Sequence, residues 1–136
     1  MKTFMKFTIA AAFTLGIISC SNDDGDEIKE INRVSIDSVL IKKDTMNVRD
    51  IQNIITYSKY QRNCEGFYGY NYEKDNFNRV VSNHKFKTDG ACGETISAGT
   101  FFNFQPVETG TYTFKFWKGK DASDVDQFIE KTIVVE

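Results

Sequence analysis

The chain has 136 residues, 17 basic and 19 acidic side chains, a net charge of −2 and twelve phenylalanines. That balance offers no basic face of the kind a nucleic acid demands, and the length leaves room for one domain around one ring-rich core. Lys2 and Lys6 precede a short apolar stretch, Phe7 to Ile18, broken only by Thr8, Thr14 and Gly16. A positive start and a short apolar segment predict a cleavable export signal over 1–19, because a spanning helix needs about 20 apolar residues. Without it the remainder carries 15 basic and 19 acidic side chains, a net charge of about −4.

The end of that segment is more particular. Ile17-Ile18-Ser19-Cys20 resembles the lipobox of lipoproteins, with isoleucine where leucine is usual at the first position. The resemblance implies that Cys20 carries lipid and becomes the first mature residue. Two or three acyl chains then anchor the protein firmly, since each buried methylene contributes about 0.8 kcal/mol. Ser21-Asn22-Asp23-Asp24-Gly25-Asp26-Glu27 follows, acidic and poor in apolar residues, so 20–32 is expected to be a flexible tether. The tract is similar to the acidic export signal of Bacteroidetes surface lipoproteins. That likeness implies the outer face of the outer membrane, with the periplasmic face as the alternative.

From residue 33 onward the pattern is of short strands. Val34 and Ile36 alternate, then Val39 and Ile41 alternate in the opposite phase. The switch predicts a bulge near Asp37-Ser38, where a first strand crosses between sheets. Residues 50–58 fit either a helix or a strand; the β-branched Ile54-Ile55-Thr56-Tyr57 favours a strand. After Cys64, strict alternation puts Tyr68, Tyr70 and Tyr72 on one face and Phe67 on the other. Residues 77–87 form a further strand containing Ser82-Asn83-His84-Lys85, whose polarity suggests a sheet edge. Phe102 and Phe104 share a face, as do Tyr112, Phe114 and Phe116, and a last strand covers 127–135.

These elements predict an all-β fold, an antiparallel β-sandwich of about seven strands over 33–136. Phe102-x-Phe104-x-Pro106-x-x-x-Gly110-Thr111-Tyr112-x-Phe114-x-Phe116 is similar to consecutive strands of immunoglobulin-like domains. That resemblance casts Tyr112 as a tyrosine corner whose hydroxyl returns to the turn backbone. It covers the last third of the domain. Cys92 precedes the motif and Trp117 lies within its second strand, so the Cys-Trp-Cys set of immunoglobulin domains is missing. Cys64 and Cys92 in an exported protein are expected to form a disulfide.

Groups with chemistry are sparse. One histidine, His84, and two cysteines besides Cys20 fall short of a structural zinc site, and no phosphate loop or nucleophile elbow is present. Asp121, Asp124 and Asp126 are a weak candidate for Ca²⁺, opposed by Lys118 and Lys120; a solvated hairpin loop is the plainer account. Tyr68, Tyr70, Tyr72 and Trp117 are the candidate binding aromatics, either core-filling or an exposed platform for sugar rings or a protein partner. The expectation is a membrane-anchored, non-catalytic binding or structural accessory module without cofactor. The alternatives are a carbohydrate-binding component of a glycan-capture system and a small hydrolase accessory.

Overall fold

A computed structural model describes residues 25–136. The expected signal, Cys20 and the start of the tether lie outside the described residues. Those described form nine strands and no helix: β1 Ile28–Val34, β2 Ile36–Ile41, β3 Thr45–Met46, β4 Gln52–Gln61, β5 Glu65–Asp75, β6 Asn78–Thr88, β7 Thr95–Phe104, β8 Gly110–Lys120 and β9 Asp126–Val135. They pack as a two-sheet sandwich. One sheet is β2-β4-β7; the other contains β5, β6, β8, β9, β3 and β1.

The count exceeds seven for two local reasons. The first apolar run breaks at Ser35, so β1 pairs with β6 in one sheet and β2 pairs with β4 in the other. A hydrogen bond from the Ser35 hydroxyl to the Lys118 carbonyl pins the crossing. Then Asp37 is an extra residue, since Ile36 faces Ser58 and Ser38 faces Tyr57. This is the bulge that the change of hydrophobic phase demands, and it turns Val39 and Ile41 toward the core. β3 adds a two-residue parallel pairing with β9, and β6 also runs parallel to β8 over Asn78–Val81; the remaining pairings are antiparallel. The sandwich begins at Ile28, so the last part of the expected tether is strand.

β6 is a central strand, which corrects the edge assignment. β5 pairs along one side of it, while β8 and β1 share the other. Its polar middle is read differently once Asn83 is seen to be fully buried. Asn83 Nδ2 donates to the hydroxyls of Thr56 and Ser58, both at 3.0 Å, and Thr56 is also within 3.0 Å of the Tyr70 hydroxyl. A polar group costs little inside when its partners are present, so a polar residue can occupy a central strand.

The core is built from the inward rows of both sheets: Ile36, Ile54, Val81, Phe104, Phe114, Phe116 and Ile133 among others. Each such side chain contributes roughly 1.5–3 kcal/mol by leaving water. Rings meet edge to face from Phe77 through Tyr112 and Phe104 to Phe114, with centroids 5.0–5.1 Å apart. The Tyr112 hydroxyl donates to the Glu108 carbonyl at 3.1 Å, the tyrosine corner anticipated from the sequence. Gly110 starts β8 at φ +147°, with the Phe77 ring where a Cβ would stand. Cys64 and Cys92 are joined as a disulfide.

Candidate ligand-binding surfaces

β5 decides which tyrosines can bind anything. Phe67 faces Lys85 and Gly69 faces His84, so Tyr68 is an extra residue in the ladder. The bulge resets the alternation. Phe67, Tyr70 and Tyr72 all turn inward, with the Phe67 and Tyr70 rings 4.8 Å apart, while Tyr68 stands 56% exposed. The three-tyrosine stripe expected from strict alternation is therefore divided. Gly69 inside a strand was the available signal, because such glycines mark bulges.

Tyr70 and Tyr72 line a cleft of about 450 Å³ between the free borders of the two sheets, where β5 faces β7. This lies within the usual range of small-ligand sites. Phe102 packs edge to face on both tyrosines, at 5.1 and 5.4 Å. Asn103 and Gln105 bring amides, and Lys74 and Arg79 bring positive charge. The Lys74 ammonium sits 5.7 Å from the Tyr72 ring centre, and the Arg79 guanidinium 5.1 Å from that of Tyr112. Neither cation is in any of the six ion pairs among the described residues. Arg79 donates through one terminal nitrogen to the carbonyls of Asn76 and Asn78, but its Nε is buried without a partner. Burial pushes the Tyr72 hydroxyl above its ordinary pKa, and the neighbouring Arg79 partly opposes this. The cleft is thus apolar on its walls and anion-seeking at one end.

Trp117 belongs to a different surface. It points outward from β8 into a groove of about 240 Å³ with Phe128, its cross-strand neighbour, and Asn71, Glu73 and Ser82. The indole Nε1 donates to Asp126 at 2.8 Å, and Arg33 stacks 4.3 Å from the ring centre while lying 3.6 Å from the same carboxylate. Trp117 therefore does not extend a tyrosine platform, and Tyr68 does not line its groove. The groove does gather two carboxylates, Glu73 and Asp126, of which Asp126 is held by the indole and Arg33.

The three aspartates proposed for Ca²⁺ are spent separately. Asp121 accepts from the backbone amides of Ser123 and Val125, Asp124 pairs with Lys120, and Asp126 serves Trp117. Among the described residues no three His, Cys, Asp or Glu side chains gather to hold a metal. The loop between β8 and β9 is closed by its own hydrogen bonds. His84 sits half-buried on β6, opposite Arg33 and Gly69. Lys74 and Arg79 went unnoticed in the sequence, and Phe102 was read only as an inward ring, because nothing local links three strands whose meeting depends on the sandwich. No family model, curated protein or solved structure matches the chain.

Proposed function

We propose that the protein is a non-catalytic binding module, anchored in the outer membrane by lipid on Cys20 and held at the cell surface by its acidic tether. The observation that carries the binding role is the cleft between β5 and β7. Its rings, amides and two cations without carboxylate partners are the components of a recognition site for a partly apolar, anionic ligand. The anchor and address rest on the lipobox-like Ile17-Ile18-Ser19-Cys20 and the acidic tract behind it.

Two measurements test this. Protease shaving of intact cells removes a C-terminal tag if the domain is outside, and spares it until the outer membrane is broken if the domain is periplasmic; Cys20→Ala abolishes anchoring in either case. A photo-cross-linker at Val107, which is 74% exposed at the cleft mouth, forms a defined adduct on those cells that Tyr72→Ala removes. Absence of any Tyr72-dependent adduct rejects the cleft as the seat of function.

A second reading is favoured by one observation, the Trp117 groove. Arg33 covers one face of the Trp117 ring and engages Asp126, but the groove beside the ring, with Asn71, Glu73 and Ser82, suits sugar hydroxyls. Under that reading Trp117→Ala abolishes retention by a polysaccharide, while Tyr72→Ala leaves it unchanged.

A further inference from the structure

Five strands have a single pairing partner and so present a free edge: β1, β2, β3, β5 and β7. A free edge invites another strand, and folded proteins usually blunt it with charge, a bulge, proline or shortness. Four of the five are blunted. β1 carries Lys29, Glu30 and Arg33 and a register shift. β2 has the Asp37 bulge and is followed by Lys42 and Lys43. β3 is two residues long. β5 has the Tyr68 bulge and ends in Glu73-Lys74-Asp75.

β7 has none of these within its bounds, although Glu94 precedes it and Pro106 lies two residues beyond it. Thr95–Phe104 contains no charged residue and no proline, and it pairs with β4 through ten consecutive positions without a shift. It is an unbulged strand about 34 Å long at 3.4 Å per residue, with about half its backbone groups directed away from β4. The same strand supplies Phe102, Asn103 and Phe104 to the aromatic cleft, whose facing wall is Tyr70 and Tyr72 of β5, the free border strand of the other sheet. An added strand would lie about 4.8 Å from β7, with alternate side chains turned toward the cleft.

We infer that β7 takes an extended, acidic polypeptide segment of a partner as an added strand, its inward side chains entering the cleft and its carboxylates meeting Lys74 and Arg79. This rests on the cleft being the binding site. Charge selects the occupant. Lys74 and Arg79 lack carboxylate partners, and a second copy's β7 has no carboxylate within Thr95–Phe104 to offer them, while the Glu94 before it is already paired with Arg62. Main-chain bonding then supplies affinity, while the cleft and its cations supply selection, the division of labour general to strand addition.

The test uses full-length lipidated protein in detergent and three fluorescent decapeptides of alternating Thr and Val. One has two Glu at cleft-facing positions, one has two Lys there, and one is the Glu peptide N-methylated at alternate residues. Anisotropy should show the Glu peptide binding on the order of tenfold more tightly than either of the others, a difference of about 1.4 kcal/mol. Lys74→Gln should erase much of the preference for Glu over Lys, and β7 amides should exchange more slowly with the Glu peptide bound. Lys74 is exposed, so that variant should fold. Equal binding of the Glu and Lys peptides, or indifference to N-methylation, overturns the inference, as does sedimentation showing the lipoprotein self-associated through β7. If no peptide binds but oligogalacturonate slows exchange around Phe102 and Tyr72, strand addition falls and the binding cleft stands. If neither probe affects those residues, both fall.

Discussion

Removing the Cys64–Cys92 bond by Cys64→Ala/Cys92→Ala should lower stability by an amount that the chain itself fixes. The bonded cysteines are 28 positions apart, closing a ring of about 29 residues around the β5–β6 hairpin. Loop-closure entropy for such a ring gives about 3.6 kcal/mol at 25 °C. For about 110 ordered residues, each kcal/mol corresponds to roughly 4 °C, so melting should fall by about 15 °C. The folded geometry should survive, because the junction is also held by main-chain bonds. Thr88 donates to the Cys64 carbonyl at 2.8 Å, and Gly93 and Arg62 donate to the carbonyls of Arg62 and Glu94 at 2.7 and 2.9 Å. The loss therefore belongs mainly to the unfolded chain, which should expand, and the urea m-value should rise. Paired thermal and urea melts of the wild type and the double variant decide it. A fall below about 3 °C, or a lower m-value, would refute the entropic reasoning.

Asn83→Ala takes the amide donor from the buried Ser58 hydroxyl, while Thr56 keeps Tyr70 and Thr100 within hydrogen-bond distance, and should cost about 1–3 kcal/mol in a urea melt. A loss under 1 kcal/mol would mean that water or a neighbour replaces the amide. Gly110→Ala places a Cβ 2.8 Å from the Phe77 ring at φ +147°, and a cost of about 1–3 kcal/mol is expected by the same assay. For Glu65, burial pushes its pKa up, but the hydrogen bonds from Lys85 at 2.6 Å and from the Gln61 amide outweigh it, and the carboxyl sits below its ordinary 4.5. Its stabilisation is thus fully present above that ordinary value and is lost as pH falls through the lowered one. Melting temperature should drop more steeply below pH 4.5 in the wild type than in Glu65→Gln, with parallel curves above pH 6; parallel acid limbs would exclude the pair as a contributor.

What the sequence disclosed and withheld follows from the range of each interaction. Phe102, Phe104, Tyr112, Phe114 and Phe116 alternate cleanly because their strands are regular, so their inward placement and the corner hydroxyl were legible. The phase change at Asp37 was legible for the same reason, since both halves of the run are apolar. The bulge at Tyr68 was hidden: tyrosine is plausible on either face, so hydrophobic alternation continued unbroken through a ladder that slips. Asn83 was misplaced because its partners, Thr56 and Ser58, lie 27 and 25 residues away, and only their pairing makes a buried amide acceptable. The cleft was invisible for a further reason. Its cations on β5 and β6 come to line one cleft with a ring on β7 only after two sheets pack, and no spacing in the chain encodes that meeting.

The Tyr68 bulge itself separates structure from function and can be tested by deletion. Phe67 already faces Lys85 and Gly69 already faces His84, which are consecutive on β6. Deleting Tyr68 therefore joins two positions that are in register, leaving Phe67, Tyr70 and Tyr72 inward. The expected cost is under about 2 kcal/mol, since one exposed side chain and one kink are lost. Deleting Asn71 has the opposite consequence. Tyr72 would be carried to the outer face, forfeiting its contact with Phe102 and roughly 1.5–3 kcal/mol of ring burial, and the cleft would lose a wall. Amide chemical shifts around Phe102 and Tyr112 should match the wild type in the first deletion and not in the second. If the Tyr68 deletion disturbs the cleft as much as the Asn71 deletion does, the bulge is part of the site and not an outward kink that the site can do without.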